Sequence, residues 1–289
     1  VRTDPPTVRE ALAAATGRLR QLDDTDPRLD SEALLAQVLG CTRAWLYAWP
    51  EHRLEAEQSA AFDALVAERA RGVPVAHLVG SREFWSLALR VTPDTLIPRP
   101  DTEMLVEWAL ELVPRHGRTR LLDLGTGTGA IALALASERE HAEVTATDRS
   151  SAALAVAADN ARRLGLPQVR FVGADWLEPF AADARFDLIV GNPPYVALGD
   201  PHLDRGDVAH EPRSALAAGP DGLDDLQRIL DSVGNHLAPG GWLLLEHGPD
   251  QGAAARALFA TAGLTAVETR RDLGARERVT GGRRPRGKP

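Results

Sequence analysis

The chain reads as an α/β protein in which a small helical bundle precedes a doubly wound sheet, and three observations lead there. From Thr119 onward short apolar strands alternate with helices, the pattern of a parallel sheet covered on both faces. Residues 7–77 show apolar residues at helical spacing and no alternating strand pattern. Between them lies one short alternating stretch, Leu87, Leu89 and Val91, that suits a β-hairpin linker.

The N-terminal helices are predicted from Leu34, Leu35, Val38 and Leu39, and from Phe62, Leu65 and Val66. Asp23-Asp24-Thr25-Asp26-Pro27 and Trp49-Pro50 break them into a bundle over residues 1–80, and none of its residues suggests catalysis. The linker, 81–100, ends in Leu96-Ile97-Pro98-Arg99-Pro100, a loop that either closes on a substrate or merely connects. A helix is predicted to start at Asp101, whose carboxylate can cap free N–H groups, with Leu105, Trp108, Ala109 and Leu112 as its buried stripe. Strands are then predicted at 120–124, 143–147, 169–172, 186–190 and 242–245, and helices at 130–137, 152–164 and 223–236. This second domain runs over 101–281. The remaining 282–289, rich in arginine, is expected to be a flexible basic tail.

Composition narrows the function classes. Of 289 residues, 44% are apolar and 26% charged, as in a soluble globular protein, and no apolar run approaches the ~18 residues of a membrane span. Val1-Arg2-Thr3-Asp4 has no apolar signal core, so a cytoplasmic protein is expected. Cys41 is the single cysteine and is expected to be inert packing. The eight histidines show no paired spacing for a metal, and none is expected. A net charge of −8 argues against duplex DNA as a partner, because DNA affinity comes largely from neutralising phosphates.

Leu121-Leu122-Asp123-Leu124-Gly125-Thr126-Gly127-Thr128-Gly129-Ala130 is a strand, a glycine-rich turn and a helix start. Glycines there let the backbone take positive φ and let a ligand approach closely. The third glycine follows the second by two residues, which departs from the dinucleotide fingerprint and disfavours a nicotinamide-dependent dehydrogenase. Asp148, ending the next strand, can accept hydrogen bonds from both hydroxyls of a ribose. Asp175 could accept from an adenine amine, and Trp176 offers a flat face for the ring. An aspartate after a strand also caps helices, and a tryptophan also fills cores. Gly125, Thr126, Gly127, Thr128, Gly129, Asp148 and Trp176, taken in strand order, suit a nucleoside.

The fourth strand ends in Asn192-Pro193-Pro194-Tyr195. Neither proline can donate to a sheet, so the chain must turn there, leaving an amide and a phenol at the strand's carboxyl end. That layout suits gripping a planar nitrogen group, either an amide or a base amine. If the first and fourth strands adjoin, this turn and the glycine loop share one crevice.

Together these features resemble a Rossmann-like class I S-adenosylmethionine methyltransferase of the amino-methylating kind. Gly80-Ser81-Arg82-Glu83-Phe84-Trp85, Leu96-Ile97-Pro98-Arg99-Pro100-Asp101-Thr102-Glu103, the glycine loop, Gly206-Asp207-Val208, Glu211-Pro212 and Glu246-His247-Gly248 resemble the PrmC/HemK family of release factor glutamine N5-methyltransferases. The resemblance runs over 7–280. It implies S-adenosyl-L-methionine as cofactor, with S-adenosyl-L-homocysteine as product. The implied substrate is the glutamine of the Gly-Gly-Gln motif in class 1 peptide chain release factors, held partly by the helical domain of an enzyme expected to act as a monomer. Asn192, Pro193, Pro194 and Tyr195 would bind the substrate amide. Asn192, Pro193 and Tyr195 would be catalytic, and Asn192 would also touch the cofactor. A nucleic-acid adenine or cytosine N-methyltransferase is the alternative that shares this tetrapeptide, and a non-catalytic nucleoside-binding protein is a further one. Glu246 is read as structural, and His247 as a satisfied structural histidine rather than a base.

Overall fold

The computed structural model describes residues 5–22, 25–181 and 183–286. Val1-Arg2-Thr3-Asp4, the Asp23-Asp24 half of the first helix break and the tail residues Gly287 and Lys288 therefore lie outside the described residues. The chain forms two compact units, Val1–Ser81 with Asp204–His210, and Arg82–Leu203 with Glu211–Pro289.

The first unit contains α1 (Val8–Leu19), α2 (Pro27–Leu39), α3 (Arg43–Ala48), α4 (Ala56–Ala70) and α5 (Val75–Val79). Local chemistry sets their ends. Thr7 and Glu10 form a capping box on α1, Asp26 caps α2 with Pro27 in its first turn, and Gly40 ends α2 in the left-handed conformation. Val8, Leu19, Leu34, Leu35, Phe62 and Val66 make the core, against which half-buried Cys41 packs. Arg69, only 3% exposed, bonds Asp30 at 2.7 Å and Asp207 at 2.6 Å. This ties Asp204–His210 to the bundle, although its place in the sequence is within the expected 101–281 domain.

The second unit opens with the expected hairpin, β1 (Ser81–Phe84) and β2 (Leu87–Arg90). The helix expected from Asp101 begins later. A 3-10 turn, Pro100–Thr102, leads into α6 (Glu103–Leu112), and Asp101 makes no cap; its carboxylate pairs instead with Arg278 at 2.9 Å. Then follow β3 (Arg120–Leu124), α7 (Ala130–Glu138), β4 (Glu143–Asp148), α8 (Ser151–Arg163), β5 (Arg170–Gly173), β6 (Phe186–Gly191), α9 (Asp224–Val233), β7 (Leu237–Glu246), α10 (Gly252–Thr261), β8 (Thr265–Arg271) and β9 (Glu277–Arg283). Among the described residues seven of these strands form one sheet in the order β5-β4-β3-β6-β7-β9-β8.

The sheet is doubly wound but mixed, not wholly parallel: β3 to β7 run parallel, while β9 pairs antiparallel with β7 and β8. Alternate strand residues feed opposite layers. Leu121, Leu188, Val190 and Leu244 pack with α6 and α7, while Leu122, Ile189, Leu243 and Leu245 pack with α9 and α10. α7 is buried from Ala130 to Ala136, which explains its apolar character on every side.

β9 also corrects the expected tail. Gly282 and Arg283 pair with Leu243 and Trp242, Arg284 donates its N–H to the Gly241 carbonyl at 2.8 Å, and its guanidinium reaches the Leu237 carbonyl. The strand escaped notice because Gly281 and Gly282 carry no side chain. A Cβ on Gly281 would lie 2.3 Å from the Trp108 ring, so neighbouring side chains fill that space. Ending the chain at Gly281 is expected to lower the unfolding free energy in urea by about 2–4 kcal/mol, since several backbone pairings are lost together.

Candidate active site

β3 and β6 adjoin in parallel register, with Leu124 opposite Gly191. The loops that follow them therefore open on the same edge of the sheet, where crevices form between the carboxyl ends of strands. A cavity of about 260 Å³ lies there, lined by Gly125, Gly127, Asp148, Trp176, Asn192 and Pro194 among others. Thr95, Leu96, Pro212 and Ser214 contribute to the same cavity.

The glycine loop is held from inside the protein. Gly125, Gly127 and Gly129 all have positive φ, as the sequence requires. Thr126 is buried; its N–H donates to the Thr147 carbonyl at 2.8 Å and its hydroxyl to Asp123 Oδ2 at 2.6 Å. Asp123 Oδ2 also accepts from the Ala132 N–H at 3.2 Å, which anchors the start of α7. Thr128 is buried and its carbonyl accepts from Asn160 Nδ2 at 2.9 Å. Thus Thr126, Thr128 and Gly129 shape the loop, while Gly125 and Gly127 face the cavity.

Asp148 also faces it. Its Oδ2 accepts from the Gly127 N–H at 2.9 Å and its Oδ1 from the Ser150 N–H at 2.8 Å, so each oxygen keeps a further lone pair. Trp176 sits at φ 52° and lines the cavity with its indole N–H tied to Asp225 Oδ1 at 3.2 Å. Asp175 lines the cavity too, but its Oδ2 is paired with Arg228 at 2.7 Å, so a ligand amine would compete with a guanidinium. A carboxylate, a flat indole and two side-chain-free residues around one cavity fit a nucleoside.

On the other side of the crevice, Asn192 Nδ2 donates to Thr102 Oγ1 at 3.3 Å. Among the described residues no hydrogen bond reaches Asn192 Oδ1 or the Pro193 carbonyl. Two unengaged acceptors therefore follow one another in the chain at the end of β6. Tyr195 donates its hydroxyl to Glu246 Oε1 at 3.4 Å, and burial beside Glu246 pushes the phenol far above its ordinary range, so it stays neutral.

Several supports were not apparent from residue patterns. Gln251 Nε2 donates to the Tyr195 carbonyl at 3.0 Å while its Oε1 accepts from the Gly248 N–H at 2.8 Å. Gly222 lies so close that a Cβ would sit 2.1 Å from the Tyr195 carbonyl oxygen, so that position excludes any side chain. Glu211 accepts from the Ile97 N–H at 2.8 Å and pairs with Arg99, which fastens the loop bearing Leu96. Asn160 bonds the Arg90 N–H and carbonyl as well as Thr128, joining hairpin to glycine loop. A lone buried amide in an otherwise amphipathic helix was the available signal. His247 is satisfied on both sides, by the Gly248 carbonyl at 2.8 Å and Thr280 Oγ1 at 2.9 Å, and burial lowers its pKa.

Residues 10–80 match the PrmC N-terminal domain family, and residues 102–208 match the methyltransferase small domain family. The release factor glutamine methyltransferase of Xylella fastidiosa (strain Temecula1) is 53% identical over 97% of this chain and 99% of its own length. The chain belongs to the release factor glutamine methyltransferase family. Members from Pseudomonas aeruginosa and Escherichia coli are 52% and 51% identical, each over 89% of this chain and over 93% and 92% of their own lengths. The fold is shared more widely than the family. The hMettl16 catalytic domain in complex with MAT2A 3'UTR hairpin 1 superposes with TM-score 0.57 at 15% identity, covering 83% of this chain and 84% of that one. A Thermus thermophilus 16S rRNA methyltransferase in complex with AdoMet and guanosine gives 0.54 at 23% identity, over 71% of this chain and 49% of its own.

Asp123 ties the family's glycine loop to a titration. Burial raises its carboxyl to about 7, against which the Thr126 hydroxyl and Ala132 N–H work. A folded-state pKa raised above the unfolded value means stability is fully present in acid and lost as pH rises through 7. Asp123→Asn lacks that loss. Its stability relative to the wild type should therefore improve between about pH 4 and 7 and then level off, as read by urea unfolding across pH.

Proposed function

We propose that this chain transfers a methyl group from S-adenosyl-L-methionine to the side-chain amide nitrogen, N5, of the glutamine in the Gly-Gly-Gln motif of class 1 release factors. S-adenosyl-L-homocysteine is the other product. The observation that carries this is Asn192, its Oδ1 unengaged, in the lining of a cavity with nucleoside-binding character, with the unengaged Pro193 carbonyl next in the chain. Family membership supports glutamine as the acceptor.

In this reading Asp148 takes the ribose hydroxyls, Trp176 stacks on the adenine and Gly125 and Gly127 leave room for the chain of the cofactor. Thr126, Thr128 and Gly129 act by holding the loop. When bound, S-adenosyl-L-methionine supplies an electrophilic methyl group on a positively charged sulfur. An amide nitrogen is a weak nucleophile because its lone pair is delocalised into the carbonyl. Asn192 Oδ1 and the Pro193 carbonyl each accept one N–H of the glutamine amide, which aims the nitrogen and stabilises positive charge as it develops there. Proline cannot donate, but its carbonyl is a full acceptor. Pro194 fixes the turn and Tyr195 packs against the planar amide. No base is required for attack, because the N–C bond forms as the S–CH₃ bond breaks and only then does the nitrogen release its proton to solvent. The helical unit, which matches the PrmC N-terminal domain, contributes to holding the release factor.

Mass spectrometry of release factor peptides after incubation with cofactor tests this directly, with DNA as the parallel substrate. Methyl should appear on the Gly-Gly-Gln glutamine and not on DNA. Asn192→Ala should reduce kcat by about 10²–10³-fold, as for loss of a charge-stabilising partner, with cofactor affinity nearly unchanged. Asp148→Ala should weaken cofactor binding by roughly 10- to 100-fold in calorimetry, since charged hydrogen bonds are lost; an unchanged Kd would refute the ribose role.

A further inference from the structure

The cavity is small for the ligand assigned to it. At about 260 Å³ it falls just below the ~300–1,000 Å³ of most small-molecule sites, so a nucleoside carrying an amino-acid chain calls for a wall that yields. Most of the wall is held fast. The Thr126 hydroxyl pins the glycine loop to Asp123, Asp148 is fastened through both oxygens, and the Trp176 indole is tied to Asp225. Thr95 and Ile97 are buried on either side of Leu96, and the Glu211 carboxylate takes the Ile97 N–H. The stretch 212–215 differs. It holds a single 3-10 turn, Arg213–Ala215, with Arg213 and Ser214 exposed to solvent, and such turns have poor hydrogen-bond geometry.

This turn is slung between two fixed points. On one side Glu211 is buried and bonded to the Ile97 N–H and to Arg99. On the other, the Leu216 carbonyl accepts from the N–H groups of Tyr195 and Val196 at 3.1 and 2.9 Å, and the Ala218 N–H donates to the Val196 carbonyl at 3.0 Å. Between those points Pro212, Ser214 and Ala215 line the cavity. Arg149 lines it too, from the end of β4, and its Nη2 donates to the Ser214 carbonyl at 3.0 Å. One bond thus joins the residue after Asp148 to the turn that walls the cavity. Both partners are exposed, so water can replace the bond at small net cost.

We infer that Arg149, acting through the Ser214 carbonyl, latches the Arg213–Ala215 turn over the cavity and so governs how fast the cofactor enters and leaves. This rests on reading the cavity as the site of S-adenosyl-L-methionine. Arg149 is a positioning residue here: it holds the wall, and the wall holds the ligand. Because the turn is pinned at Leu216, opening it leaves the backbone bonds of Tyr195 and Val196 in place. A latch that closes the empty and the loaded cavity alike slows entry and exit together. A residue that grips the cofactor itself slows exit alone.

Stopped-flow binding of S-adenosyl-L-homocysteine, followed by the tryptophan fluorescence to which Trp176 contributes, separates the two. Arg149→Ala should raise kon and koff together by about three- to tenfold, the scale of one net hydrogen bond, and leave Kd within about twofold. Its unfolding midpoint in urea should match the wild type, since the side chain is exposed. Binding rates within about twofold of the wild type overturn the inference. So does a rise in koff alone with Kd weakened by the same factor, which makes Arg149 a direct contact of the cofactor. Hydrogen exchange gives a second reading. The Ala215 N–H closes the turn on the Pro212 carbonyl at 2.8 Å, and it should exchange about three- to tenfold faster in unliganded Arg149→Ala; equal rates also overturn the latch. A wild type that binds no S-adenosyl-L-homocysteine sinks the cofactor reading itself, whereas a wild type that binds it beside an insensitive variant sinks only the latch.

Discussion

Everything at the site depends on β3 and β6 lying side by side in parallel, Leu124 against Gly191. Parallel neighbours send their following loops off the same edge of the sheet, so a glycine loop after β3 and a proline turn after β6 must face one another. Neither loop would be useful alone. The glycine loop makes room for a ligand, and the turn offers acceptors to a nitrogen. Only the register that aligns Leu124 with Gly191 places the two functions across one cavity. The apolar alternation that fixes this register, with Leu121 and Leu188 on one layer and Leu122 and Ile189 on the other, is thus as much a part of the chemistry as any polar group.

Two buried acids stand at this edge, and both bear on loops. Asp123 holds the Thr126 hydroxyl and the start of α7, and Glu246 meets the Tyr195 hydroxyl behind the proline turn. Burial raises both to about 7, so each costs stability in its charged form. Apolar replacements would pack without that penalty, but they could not direct a hydroxyl proton. Directional hydrogen bonding is what a loop of glycines or a turn of prolines lacks, because glycine has no side chain and proline no N–H. The acids supply it from beneath.

The sequence makes the parallel core legible because fully buried strands are continuous apolar runs and their helices have clear stripes. The residues facing the cavity are legible for a different reason: Gly125, Gly127, Asp148, Trp176 and Asn192 stand at strand ends, where a doubly wound fold puts its ligands. What stays hidden is whatever depends on contacts between distant segments. β8 is largely exposed and charged, and β9 carries two glycines whose missing side chains are replaced by Trp108, Phe259 and Leu264. Asp101 looked like a helix cap and is an ion-pair partner, because Arg278 arrives from a strand that the pattern did not reveal. Gln251, Glu211 and Asn160 are single polar residues whose tasks appear only once the loops they tie are in place.

The clamp itself reads very little. Two acceptors of the proposed kind would recognise an NH₂ group and its plane, and would say nothing of whether that group belongs to a base or an amide. One fold can carry unrelated substrates, so the fold by itself does not choose between them. Selection must then come from outside the tetrapeptide. The net charge of −8 disfavours a polyphosphate partner, and the helical unit is a compact unit with its own buried ion pairs, Arg69 with Asp30 and Asp207.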